Sequence, residues 1–450
     1  MIVEPKVNDR REIRGWMMYD WANSAFSTTV AGALLMPYLT SLAQAAVGDN
    51  GIVLTLGPFG SLTAMSYFSV CTGISVALQA VMLPVLGAIA DYSHLKKKLL
   101  GFSCYIGAVA TSLLFFITGD LYLWGGVLFI VANLSFGASL VMYNAFLREI
   151  CTPDRTDSVS SRGYALGYLG GGLLLAMNLA LLLAAPTLGI STGLAVRISL
   201  LSAGLWWGGF ALVTLSRLKS RAPARTLTRN QSYLTIGFSE LGGTFRQLSR
   251  LPHTLKFLIA YMFYNDGIQT VILQASTFLS QELFTLEQRT AGQDVSFVLQ
   301  IFLMIQFVAF FGAILFEKIA GLVGAKKAIL VSLVLWAGVV IYAYAFLRTT
   351  SQAWGMGAVI AVVLGGSQAL SRSLFARMIP AGFEGSFFGL YEVSERGTSW
   401  IGPILFGLVA GSTGSFRQAI LSLIVLFLVG TVLLALTDTD RAIREAGRQS

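Results

Sequence analysis

Asp266 lies in the apolar run 254–280 with no basic residue near it in the chain. About 12 residues into a helix that rises 1.5 Å per residue, it would sit roughly 18 Å deep, near the middle of a bilayer. A charge there costs roughly 2.5–3.5 kcal/mol on insertion scales, so it needs a partner, a water-filled cavity or a task. Two chemistries fit. One is a carboxyl that exchanges a proton or binds a substrate ammonium. The other is an acid that caps a broken helix or bonds a neighbouring one, and Gly267 next to it permits a break.

Other polar side chains stand in apolar surroundings. Asp20 and Asn23 are three residues apart, on one helical face. They fall one turn inside the start of an apolar run, where a helix N-terminus favours an acid in any case. Tyr19 and Trp21 read as interfacial belt residues. Glu392 precedes Arg396 by four positions, the favourable order for an ion pair, with proton coupling as the other reading. Arg372 follows Gln368 by one turn; its planar fork suits a substrate carboxylate, while a snorkelling arginine near a helix end is the simpler reading. Gln269 extends the polar cluster Tyr264, Asn265, Asp266, and Asn133, Asn144 and Asn178 are candidates for interhelical hydrogen bonds. Gly163, Gly167 and Gly171 form a four-residue stripe, repeated by Gly385/Gly389 and Gly407/Gly411, and read as packing and gating surfaces.

These residues need helices of membrane-spanning length to position them. Charged residues make up 12% of the chain, hydrophobic ones 55%, and the mean hydropathy is +0.72. Twelve apolar stretches are predicted: 19–41, 63–90, 99–119, 121–147, 161–187, 190–216, 254–280, 295–318, 328–347, 353–377, 386–411 and 416–437. Most of the 31 basic residues fall on one face, in the arm before residue 19, in alternate connectors, in 217–256 and in the tail. Arg197, Arg289, Arg348 and Arg417 fall on the other. The positive-inside bias then makes both termini and the central loop cytoplasmic, in an inner membrane. The net charge of +9 is accounted for by basic loops beside anionic lipid, so no nucleic-acid partner is expected. The first apolar run is too long for a cleaved signal peptide, and Cys71, Cys104 and Cys151 suggest neither a disulfide framework nor a metal site.

The connector 217–253 divides the chain into a bundle over 19–216 and a second over 254–437, flanked by an arm (1–18) and a tail (438–450). Within it Phe238, Leu241, Phe245, Leu248 and Leu251 recur at helical spacing, predicting an amphipathic helix along the interface. The halves echo each other. Ala90-Asp91-Tyr92-Ser93-His94-Leu95-Lys96-Lys97 is matched 230 positions on by Ala320-Gly321-Leu322-Val323-Gly324-Ala325-Lys326-Lys327.

Six plus six spans around a basic central loop resemble the major facilitator transporters, in which two repeats rock about a midplane site. Gly87 and Asp91 followed by Lys96 and Lys97 resemble that family's loop motif after the second span, with His94 where the motif has glycine and Tyr92 where it has a basic residue. The resemblance implies a gating loop, with Asp91 capping a helix end or pairing with a basic residue. Tyr19-Asp20-Trp21-Ala22-Asn23-Ser24-Ala25-Phe26 is similar to the opening signature of the vacuole-effluxer-like branch, whose fungal members release amino acids from vacuoles in autophagy. Tyr143–Leu147, Gly163–Tyr168, Tyr264–Gly267, Gln368–Ser373 and Phe387–Glu392 are similar to the same branch. The short loops resemble a bacterial-type member.

The expectation is an all-α polytopic protein of twelve transmembrane helices in two pseudo-symmetric halves. It would be a secondary transporter that exports a small polar solute, an amino acid first, as a proton-coupled monomer in contact with membrane lipid. The pathway residues would be Asp20, Asn23, Asn144, Asp266, Gln269, Gln368, Arg372 and Glu392, around a cavity lined by spans one, four, seven and ten. Another metabolite or drug as cargo, or a lipid scramblase or sensor, is the alternative. An enzyme would need a nucleophile–base pair or a metal cluster inside the spans, yet the two histidines, His94 and His253, fall at loop ends. No cofactor or nucleotide motif occurs.

Overall fold

The computed structural model describes residues 6–48, 51–55, 61–221, 225, 233–290, 293–396 and 401–448. Asp9 caps α1 (Arg10–Ala25) by accepting the Arg11 amide, and the helix runs on through a π-helical stretch, Phe26–Leu34, into α2 (Leu35–Val47). A small antiparallel hairpin, β1 (Ile52–Thr55) and β2 (Ser61–Thr63), precedes α3 (Tyr67–Asp91) and α4 (Lys96–Leu113). Then come α5 (Tyr122–Ala145), α6 (Leu147–Ile150), α7 (Thr156–Ala184) and α8 (Thr192–Arg217), completing the N-terminal half. The linker helix is α9 (Tyr233–Ser249).

The C-terminal half holds α10 (Pro252–Leu283), α11 (Leu286–Thr290), α12 (Gln293–Val323), α13 (Ala325–Ala345) and α14 (Thr350–Arg377). It ends with α15 (Glu384–Arg396), α16 (Ile401–Thr413), α17 (Phe416–Ser422), α18 (Ile424–Ala435) and the tail helix α19 (Thr439–Arg448).

Among the described residues ten helical segments are long and apolar enough to cross a membrane. Reaching the expected twelve requires adding α10 and the pair α15/α16. The first is 32 residues long but carries Asn265, Asp266 and Gln269, which lower its hydropathy. The second pair flanks residues 397–400, which lie outside the described residues. The two narrowest cuts between predicted spans, near 120 and 188, fall on glycine turns: Gly119 has φ +50° and Gly189 φ +67°, left-handed backbone that favours glycine.

The break that Gly267 permits does not occur: α10 is continuous through that residue. The linker helix rests on α3, with Gly237 against Val85 and Ile89. Leu248 and Leu251 of the predicted apolar stripe are buried and Phe245 is exposed, while the side chains of Phe238 and Leu241 lie outside the described ones.

Candidate functional site

Arg372 lies near the C-terminal end of α14, a helix opened by a capping box between Thr349 and Gln352. Its side chain is 2% exposed and turned away from lipid. A guanidinium has five N–H donors, and all five are used. Two go to Asp20 on α1 (3.0 and 3.3 Å), two to the hydroxyl and carbonyl of Ser160 on α7 (2.9 and 3.0 Å), and one to the Asn144 side-chain oxygen on α5 (3.5 Å). Trp16 and Tyr164 present ring faces 4.9 and 4.1 Å from its central carbon, and the Tyr143 hydroxyl donates to Asp20 at 2.7 Å. A Cβ on Gly163 would stand 2.5 Å from the Asp20 carboxylate, so the α7 backbone can come this close only because glycine is there.

Asn144 extends the network by donating to Glu392 on α15 (2.8 Å), which also accepts from Arg396 (3.3 Å) as the i,i+4 spacing implied. Gln368 accepts from the Tyr168 hydroxyl (2.7 Å), a further bond between α14 and α7. Asp20, Asn144, Arg372 and Glu392, four separate candidates in the sequence, are thus one buried polar network joining the two halves. Snorkelling, one reading of Arg372, is overturned because the guanidinium is aimed inward at an acid.

A second set of bonds shuts the face that carries the termini, here called the basic face. Asp91, at the end of α3, accepts the backbone amides of Gly385 and Ser386 (2.7 and 2.8 Å) and the Ser386 hydroxyl (2.7 Å). It thereby occupies the positive N-terminal end of α15. Gly87 and Gly385 let the two backbones touch: a Cβ on either would meet the other's carbonyl oxygen at 2.1–2.3 Å. On the opposite seam Glu317, 230 positions after Gly87 in the repeat, accepts from Ser158 (2.6 Å) and Arg162 (3.1 Å) near the start of α7. Asp157 adds bonds to Ser373 and Arg377 of α14. Lys96 pairs with Glu149 inside the N-terminal half, and both Lys96 and Lys97 line a polar pocket at the seam with Asp91 and Glu384.

Asp266 stands apart from the arginine network. It is 1% exposed and accepts the backbone N–H of Gly402 (2.8 Å) in the first turn of α16, while its other oxygen has no partner among the described residues. The amide nitrogen of buried Asn23 likewise meets no acceptor among them, and Gln269 stays half-buried on α10 and joins none of these bonds. Two readings are corrected. Tyr19 is no belt residue: it is wholly buried and takes a bond from Trp207. Gly407 and Gly411 meet no neighbour among the described residues, unlike Gly385 and Gly389.

Sequence reasoning missed Trp16, Ser160 and Glu317, and placed Tyr143 and Tyr164 only within similar segments. Trp16 and Ser160 carry no local signal, whereas Glu317, an acid closing an apolar run at the repeat position of Gly87, could have been found from the offset. Among the described residues no group of three metal-ligating side chains forms.

The helices superpose on the major facilitator superfamily transporter FucP of E. coli, in its outward conformation, with a TM-score of 0.68 over 95% of this chain and 98% of that one. At 12% identity this likeness is one of fold. It shows an all-α polytopic membrane protein with the major facilitator fold. The chain is 31% identical to the uncharacterized MFS-type transporter YxiO of Bacillus subtilis over 96% of both chains. It is 25% identical to autophagy-related protein 22-1 of Penicillium rubens, across 98% of this chain and 92% of that protein. The vacuole effluxer Atg22-like family matches residues 8–447, and the protein belongs to that family.

Proposed function

We propose that the protein exports a small zwitterionic solute, an amino acid first, by proton-coupled alternating access. Bundles over 19–216 and 254–437 rock about the buried network, with termini and linker in the cytoplasm of a cell with this protein in its inner membrane, as a monomer bedded in lipid. The observation that carries this reading is the Asp20–Arg372 pair. It joins the halves with a charge pair that must be remade if they part, which gives the two arrangements different electrostatics. With the basic face bonded shut through Asp91 and Glu317, the arrangement is one closed to the cytoplasmic side in this reading.

All five Arg372 donors are met by the protein, so a solute carboxylate reaching Arg372 must displace Asp20, Asn144 or Ser160. Solute binding would then be traded directly against closure of the basic face. Asp266, with an oxygen that has no partner among the described residues, is the protonatable group assigned to coupling, with Asp20 or Glu392 as the second. Basic connectors on one face support the orientation.

The test is a thermal-stabilisation screen of the purified protein against amino acids, dipeptides, sugars and organic acids, followed by proteoliposome flux under an imposed pH gradient. A ligand that binds only the folded state raises its apparent stability with concentration. Stabilisation by amino acids and pH-driven flux of the same solute are expected. Stabilisation by another class alone discards the amino acid, and flux indifferent to the pH gradient discards the proton.

A further inference from the structure

Arg225 of the central linker lies between the halves. Its guanidinium is 4.2 Å from the ring of Tyr92, in the α3–α4 connector, and 4.2 Å from the ring of Phe383, just before α15. Both its terminal nitrogens bond Glu240 on α9 (3.1 and 3.3 Å), and Glu240 also accepts from the Tyr92 hydroxyl (2.7 Å). A planar cation held between two ring faces while its edge meets a carboxylate is a geometry arginine fits and lysine does not.

Among the described residues the rest of the linker is fastened chiefly to the N-terminal half, with a smaller contact of α9 on α15. Buried Glu12 on α1 takes the Lys219 amide (3.0 Å) and two bonds from Arg221 (2.8 and 3.0 Å), and α9 rests on α3 through Gly237. Neither attachment changes if the halves rock. The Phe383 contact does, because Phe383 leads into the helix that Asp91 holds at the closed seam, two residues away at Gly385.

We infer that Arg225 is a latch: the linker supplies a guanidinium to a slot that is complete only when the basic face is closed, and that slot opens when Phe383 withdraws with α15. The inference rests on the alternating-access reading. It makes the linker a determinant of the conformational equilibrium as well as a tether between bundles.

The test is a distance measurement by double electron–electron resonance between spin labels on the basic face, at Lys98→Cys and Leu322→Cys. Both positions are exposed, and Cys71, Cys104 and Cys151 are buried. Arg225→Ala and Phe383→Ala should each raise the ratio of long to short distances about tenfold, Arg225→Lys should do nearly the same, and the double variant no more than either single, since the two residues make one contact. Phe383→Ala leaves the Arg225–Glu240 pair in place and serves as the test even if Arg225→Ala fails to fold. Two distances whose ratio neither variant moves would overturn the latch while leaving rocking intact. Effects that multiply to about a hundredfold in the double variant would overturn it too, because they would show independent sites. A single distance in every variant and in the parent would overturn rocking and the latch together.

Discussion

Arg372 on α14 and Asp20 on α1 close a two-bonded ion pair across 352 positions of sequence, with the arginine 2% and the acid 6% exposed. Both charges have left water, so each depends on the other and on Ser160 and Asn144 to offset its desolvation.

Removing one partner should therefore cost more than removing both. Arg372→Met is expected to lower stability by about 3–5 kcal/mol, because it strands a buried carboxylate, and Asp20→Asn combined with it should recover part of that loss. Unfolding in detergent measures this. A double variant as unstable as the sum of the singles would mean that the two residues do not act as a pair.

Asp266 can be separated into a structural and a coupling role. Asparagine keeps an acceptor for the Gly402 amide, so Asp266→Asn should fold like the parent, whereas Asp266→Ala should lose about 1 kcal/mol, as for a lost helix cap. If the carboxyl couples protons, Asp266→Asn abolishes gradient-driven accumulation and leaves solute exchange. Accumulation at parental levels in that variant would assign the residue to structure alone.

The two seams of the basic face should differ in strength. Gly385→Ala places a Cβ 2.3 Å from the Gly87 carbonyl oxygen and forces α3 from α15, at a cost of roughly 1–3 kcal/mol to the closed state. Glu317→Gln weakens a pair whose arginine is 62% exposed, worth about 1 kcal/mol or less. Reactivity of a cysteine introduced beneath each seam should rise clearly in the first variant and little in the second; the reverse order would put the main closure at α7 and α12.

Burial pushes the Cys151 thiol, in the connector before α7, up to about 11 from an ordinary 9.0. The folded state thus holds this proton more tightly than the unfolded chain does. Its contribution to stability is fully present below about pH 9 and is lost as pH rises toward 11. Compared with Cys151→Ala, the parent should lose stability more steeply over that window, and a maleimide at pH 7.5 should leave the folded thiol unmodified. Parallel stability curves would show that the thiol ionises equally in both states.

Span positions were largely legible. The run 254–280 became α10 over Pro252–Leu283, and 190–216 became α8 over Thr192–Arg217. The i,i+4 pair Glu392–Arg396 was legible for the same reason, since both residues sit on one helix. Asp20 and Arg372 were each legible as unusual and illegible as partners. So were Asp91 and the amide of Gly385, because nothing in either segment encodes the other's position.

The sequence by itself determined that the chain spans a membrane, roughly where its helices run and which family it belongs to. Length of apolar run and loop charge are local properties, set by the bilayer as solvent. Only the tertiary structure decided that Arg372 meets Asp20 and not lipid headgroups, that Asp266 meets α16, and that Glu317 accepts from Ser158 and Arg162. A buried polar group must find its partner on whichever helix packs beside it, and that neighbour is chosen by the packing of distant helices.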